Sequence, residues 1–147
     1  MRCQECGGEY RNSSEPIIYR VHGEDITVEG IEHRVCDGCG DELLSLKNTS
    51  ALQRRANDEY RTRHGFLSGE EIKAIRTSFN ATQEEFQRVI RSGPKSMTRW
   101  EKGTVLQTGV TDTLLRVLRR FPMAYHWLEI EISDASFEQD TKSAMCN

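Results

Sequence analysis

The spacing of apolar positions changes period once along the chain. Between residues 17 and 35 they alternate with polar ones: Ile17, Tyr19 and Val21, then Ile26 and Val28, then Ile31, His33 and Val35. A period of two belongs to strands with one buried face. His22-Gly23-Glu24-Asp25 reads as the turn of a hairpin between the first two runs, Gly30 interrupts before the third, and Pro16 marks a strand edge. Leu43, Leu44 and Leu46 are expected to pack on this β unit. From there the period lengthens. Leu52, Ala56 and Tyr60 recur at i, i+4 and i+8, which predicts a helix ending near His64-Gly65. Ser68-Gly69-Glu70-Glu71 reads as a capping box ahead of Ile72, Ile75 and Phe79, and Thr82-Gln83-Glu84-Glu85 as a second ahead of Phe86, Val89 and Ile90. Ser92-Gly93-Pro94 ends that helix, and Pro94 suits the first turn of another over residues 95–102. This third helix buries Met97 and Trp100 and stops at Gly103. A fourth stripe, Val110, Leu114, Val117, Leu118 and Phe121, follows a threonine cap at 108 or 111. Pro122 stops it, and residues 123–130 predict a short last helix.

The fold class is therefore α+β. A small β-hairpin domain covers residues 1–46, a helical connector 47–65, and an all-α five-helix domain 66–131. The polar, acidic stretch 132–147 reads as a disordered tail.

A module of about 50 residues buries too little apolar surface to hold itself together and usually needs a metal or disulfides. The opening Met1-Arg2-Cys3-Gln4-Glu5-Cys6 lacks the apolar core of a signal peptide, and no apolar run reaches membrane-spanning length. A cytoplasmic, reducing setting is expected, where paired cysteines are metal ligands more often than disulfides. Cys3-x-x-Cys6 and Cys36-x-x-Cys39 are two such pairs, 29 residues apart. Two residues between ligands let one tight turn aim both sulfurs at one ion, and two knuckles supply a tetrahedral thiolate set. One structural zinc is the expectation, since four thiolates leave no open position for catalysis. Ligands alone leave iron open. A thioredoxin-type redox pair would need a single C-x-x-C between strand and helix. His22 and His33 lie between the pairs, but the shell is complete without them. His64 and His126 read as surface or packing residues, and Cys146 has no partner at knuckle spacing.

The net charge of −3 hides an asymmetry. Residues 1–50 carry 5 Lys/Arg against 10 Asp/Glu, residues 51–121 carry 14 against 8, and residues 122–147 carry 1 against 5. A basic middle between acidic ends suits one module for an anionic polymer and another for something else. The two short helices around Gly93, the second with few apolar positions, fit a helix-turn-helix whose second helix enters the DNA major groove. Its outward residues would be Lys95, Ser96, Thr98 and Arg99. Arg99 suits guanine O6 and N7, the others base edges or phosphates. Gln83, opening the preceding helix, is placed to meet a phosphate. A plain helical bundle with a solvated polar face is the other reading of the same pattern.

Taken together, Cys3-x-x-Cys6, Cys36-x-x-Cys39-Gly40, Thr82-Gln83-Glu84-Glu85-Phe86 and the run from Gly93 to Gly103 resemble the MqsA-type (YgiT-like) antitoxins, over residues 1 to about 128. The resemblance implies a helix-turn-helix of Cro/repressor type that dimerises and binds a palindromic operator ahead of its own operon. It also implies a zinc domain that contacts a co-encoded toxin, and base reading at Lys95 and Arg99. Some members carry an amide where Lys95 stands. An antitoxin of a type II system that represses its own operon is the resulting expectation. The alternatives are a solitary transcription regulator of the same build and a protein-interaction adaptor. No carboxylate pair, nucleophile–base set or open metal site marks an enzyme. Glu101 is expected to cap or pair locally at the end of the third helix.

Overall fold

The computed structural model describes residues 1–144, with side-chain surroundings for residues 1–135. The chain divides into two compact units, Met1–Phe66 with Gly103–Val105, and Leu67–Lys102 with the chain from Leu106 onward.

In the first unit, β2 (Ile17–Val21) and β3 (Glu24–Val28) form the hairpin that the alternation implies, with Ile17 opposite Val28 and Val21 opposite Glu24. Its turn is tighter than expected. Only His22 and Gly23 lie between the strands, both at positive φ, the backbone that suits a two-residue hairpin. A second sheet has the order β1-β4-β5, built from β1 (Tyr10–Ser13), β4 (His33–Cys36) and β5 (Glu42–Leu43), all antiparallel. Ile17, Val21, Ile26, Val28 and Ile31 are buried and form the apolar centre. Leu43 and Leu46 do not pack there. Leu46 is 90% exposed, because it opens a helix just after the Ser45 cap and points away from the sheets.

That helix, α1 (Leu46–His64), covers the stretch read as a connector, and Gly65 ends it in the left-handed conformation. Leu52 and Ala56 are buried where α1 packs on β2 and β3, so the helix is part of the first unit. Side chains along it grip the strands. Asn48 Nδ2 donates to the Glu32 carbonyl at 2.6 Å, and Arg55 to the Glu29 carbonyl at 2.8 Å. At the far end Arg63 and His64 meet the Glu24 carboxylate at 2.9 and 2.6 Å. The hydrogen bond from His64, then that from Arg63, holds Glu24 below the usual carboxylate range.

The second unit is five helices: α2 (Gly69–Ser78), α3 (Gln83–Ile90), α4 (Ser96–Lys102), α5 (Gly109–Arg120) and α6 (Pro122–Ala144). Both capping boxes are formed, with Ser68 and Glu71 exchanging bonds at one and Thr82 and Glu85 at the other. A Cβ on Gly69 would collide with the main-chain carbonyls of Trp100 and Glu101, so glycine is what lets α2 start against the end of α4. Leu67, Ile72, Ile75, Ala81, Phe86, Val89, Met97, Trp100, Leu115, Leu118 and Tyr125 make up the core. Phe79 and Tyr125 stack at 4.2 Å between ring centroids.

Two expectations fail here. The apolar stripe read on α5 is only in part its core face, since of its five residues Leu118 is buried and Leu114 packs partly buried against the core. Leu115 and Leu118 are buried, whereas Val110 is 82% and Phe121 60% exposed, and Val117 is exposed too. The core face also carries the buried Asp112, which accepts from the Leu67 N–H at 2.8 Å, Gln107 at 3.1 Å and Arg116 at 2.7 Å. The last helix is also longer than the short one expected. It runs through residues 132–144, which had read as a disordered tail. No glycine or proline follows Pro122 to break it, and Ile132 packs against the core. Cys146 lies outside the described residues.

Candidate metal centre and nucleic-acid interface

The first knuckle precedes β1 and the second follows β4. These strands pair with Tyr10 opposite Cys36, and the pairing brings the knuckles together. All four sulfurs lie within 4.8 Å of one another, with Cys6 to Cys36 at 3.4 Å and Cys3 to Cys39 at 3.7 Å. Zinc–sulfur bonds of about 2.3 Å in a tetrahedron place sulfurs about 3.8 Å apart, so the spacing fits such an ion. Main-chain N–H groups point at the sulfurs as well, Gly8 at Cys6 and Gly38 at Cys36, each at 3.4 Å. A Cβ on Gly38 would stand 2.8 Å from Cys6 Sγ, so the second knuckle closes on the first only because that residue is glycine. Cys3 and Cys36 are buried, Cys6 and Cys39 exposed.

As free thiols Cys3 and Cys39 are pushed in opposite directions. The Tyr10 hydroxyl, then the Cys6 N–H, draws Cys3 down to about 6. Cys39 is pulled down by the Asp41 N–H, but its sharing with Cys6, partial desolvation by the packed knuckle, and the sulfurs of Cys3 and Cys36 together push it up to about 12. A cation must therefore displace protons to hold all four as thiolates at neutral pH. The four cysteines are placed to hold one divalent ion between the ends of β1 and β4.

In the second unit, α3 and α4 meet through the turn 91–95. α4 begins at Ser96, not Lys95 as expected, because Lys95 stands at φ 61 in the left-handed region. A lysine there costs roughly 1 kcal/mol or more relative to glycine, and such strain concentrates at functional positions. Lys95 is exposed, and among the described residues its side chain has no hydrogen bond or ion pair. Arg99 is exposed one turn further on. The Arg99 N–H donates to the Lys95 carbonyl at 3.1 Å, so the two cations lie one turn apart. The other three expected readers are engaged inside the unit. Ser96 Oγ donates to the Gly93 carbonyl at 2.7 Å and lies 2.8 Å from Ser92 Oγ. Thr98 Oγ1 donates to Gln83 Oε1 at 2.6 Å, and Gln83 Nε2 donates to Glu101 Oε2 at 2.9 Å.

Glu101 is the residue whose role the sequence least revealed. It pairs not locally but with Arg76 of α2, in a two-pronged bond at 2.6 and 3.2 Å. The side chains are 12% and 7% exposed for Arg76 and Glu101. The carboxylate keeps Arg76 above the ordinary guanidinium value. Arg76 also donates to the Ala81 carbonyl at 2.8 Å, so one guanidinium fastens α2, the entry to α3 and the end of α4. No local motif carries a pair 25 residues apart, and the only hint was a carboxylate at the end of a mostly basic helix.

A family model described as the antitoxin component of bacterial toxin–antitoxin systems, MqsA, matches residues 1–128. The chain is also 32% identical over 56 residues to Antitoxin HigA-2 of Vibrio cholerae serotype O1, an overlap of 38% of this chain. It spans about half the length of that relative, 54%.

Proposed function

The chain belongs to the MqsA family of antitoxin components, and from that premise we propose that it represses its own operon through α3 and α4 and neutralises a co-encoded toxin through its cysteine-rich unit. The observation that carries the DNA reading is the pair Lys95 and Arg99. Both are exposed and cationic, Arg99 on α4 and Lys95 just ahead of it, and the Glu101 network holds that short helix from behind. Lys and Arg both suit guanine O6 and N7 in the major groove. The excess of basic residues over 51–121 supplies the phosphate attraction. Gln83 and Thr98, engaged with each other and with Glu101, act as supports that set the register of α4.

Binding of the full chain to the duplex upstream of its gene is the test. Arg99→Ala is expected to weaken binding by about 1–3 kcal/mol and to relax sequence preference at one position per half-site. Lys95→Asn, whose side chain tolerates the left-handed backbone, should keep the fold and move preference there from guanine towards adenine. Binding indifferent to both changes would sink the assignment and favour a protein-interaction adaptor.

The same reading includes a homodimer. Val110, Leu114, Val117 and Phe121 return every three to four residues along α5, and Met123, Trp127 and Ile130 do so along α6. Six of these seven are exposed, which is more apolar surface than a solitary bundle leaves bare. A two-fold dimer through this face would present two α4 helices to a palindromic site. Phe121→Glu is expected to shift the protein from dimer to monomer in sedimentation, with thermal stability little changed because the side chain is already 60% exposed. A dimer that survives Phe121→Glu and Trp127→Glu together would exclude this face.

A further inference from the structure

Beyond the four sulfurs, one pair of side chains bridges the two knuckles. Tyr10 opens β1, four residues after Cys6, and Asp41 lies two residues after Cys39. The Tyr10 hydroxyl donates to Asp41 Oδ2 at 2.6 Å, across 31 residues of chain, and the same hydroxyl reaches the Cys3 sulfur. Asp41 is itself fixed to the second knuckle through its main chain. Its carbonyl accepts from the Cys36 N–H at 2.9 Å, and its N–H is directed at the Cys39 sulfur. Across the β1–β4 ladder Tyr10 stands opposite Cys36. The two residues thus lie against three of the four cysteines.

We propose that Tyr10 and Asp41 are positioning residues of the metal centre, locking Cys3 of the first knuckle onto the second and thereby setting how tightly the ion is held. The inference rests on the reading that the four cysteines bind one divalent ion. Four thiolates around such an ion leave two negative charges in excess, and donors to sulfur disperse them. Cys6 and Cys36 receive main-chain N–H groups from Gly8 and Gly38. Cys3 instead lies beside the Tyr10 hydroxyl, whose one proton is given to Asp41. That hydroxyl also stands between two anions, the Cys3 thiolate and the Asp41 carboxylate, which its removal would leave facing each other. Outer partners of this kind alter metal affinity by about 10–100-fold.

The experiment is zinc competition against a chromogenic chelator on the full chain, with cobalt(II) substituted in parallel. Wild type binding one ion tests the metal reading by itself. Given that, Tyr10→Phe is expected to lower zinc affinity 10–100-fold and to shift the thiolate-to-cobalt charge-transfer absorption, a change that mere loosening of the sheet would not produce. Asp41→Asn keeps an acceptor for the hydroxyl and removes the charge, so it should stay within a few-fold of wild type. The double variant should recover part of the Tyr10→Phe loss, because the exposed carboxylate is gone. Wild-type affinity and an unchanged cobalt spectrum in Tyr10→Phe would overturn the proposal. If that variant does not fold, Asp41→Ala decides. The freed hydroxyl should then turn to Cys3 and move the cobalt absorption, and an unmoved band overturns the proposal equally.

Discussion

Stripping bound metal from the chain, or replacing Cys36 with serine, is expected to unfold the first unit and leave the second folded and able to bind DNA. The first unit's apolar centre comprises five side chains from the hairpin and its flank, plus Leu52 and Ala56 from α1. That centre is too small to offset the ordering of some 60 residues at about 1–2 kcal/mol of backbone entropy each. A structural zinc in such a unit supplies roughly 10–16 kcal/mol of apparent binding energy, and that energy is folding energy. The second unit needs no such help, because its core of eleven buried residues is independent of the cysteines. Far-UV circular dichroism should therefore lose the β contribution and the helical signal of α1 while that of α2 to α6 persists, and operator affinity should change little. Loss of both signals together would refute the independence of the units. The pH dependence follows from the thiols. Binding releases protons from cysteines whose ordinary value is 9.0, with Cys39 pushed up to about 12. Affinity must then fall as pH falls, and a chelator should strip the ion more readily at pH 6 than at pH 8.

What could be read from the sequence divides along a physical line. Features encoded by neighbours in the chain came through: the C-x-x-C knuckles, the hairpin over residues 17–28, and the caps at Ser68 and Thr82. β1 did not, because Tyr10-Arg11-Asn12-Ser13 has no apolar alternation and becomes a strand only by pairing with β4. On α5 the periodicity located a stripe correctly but could not say what it faces. An apolar row looks the same in sequence whether it meets the core or remains exposed. The core face, which adds Leu115 and Asp112 to the Leu118 that the stripe did include, is interrupted by a charge whose partners, Leu67 and Gln107, are distant or unremarkable in the sequence. The site shows the same division. Lys95 and Arg99 were legible as outward cations. The engagement of Gln83, Thr98 and Glu101 was not, because it is built from three helices at once.

That network leads to the second large effect. Glu101→Ala is expected to destabilise the helical unit by about 3–5 kcal/mol, the cost of leaving a buried guanidinium without its carboxylate. Arg76 is 12% exposed and its Nε stands 2.6 Å from Glu101 Oε1, so water cannot readily replace the partner. Chemical denaturation followed by tryptophan fluorescence measures the loss, since Trp100 lies in the same core. A destabilised variant would also bind DNA poorly, which alone would not separate support from recognition. The pair Arg76→Met with Glu101→Leu does. Apolar replacement of both members of a buried pair is often neutral or stabilising, so this double variant should recover much of the stability. It still lacks the acceptor that holds Gln83 Nε2, and through Gln83 the Thr98 hydroxyl on the face of α4. Operator affinity and base preference should therefore stay impaired in a protein that melts like wild type. Full recovery of both would mean that the ion pair contributes only cohesion. Recovery of stability without recognition would mean that Glu101, buried behind the reading helix, fixes the register in which Lys95 and Arg99 are presented.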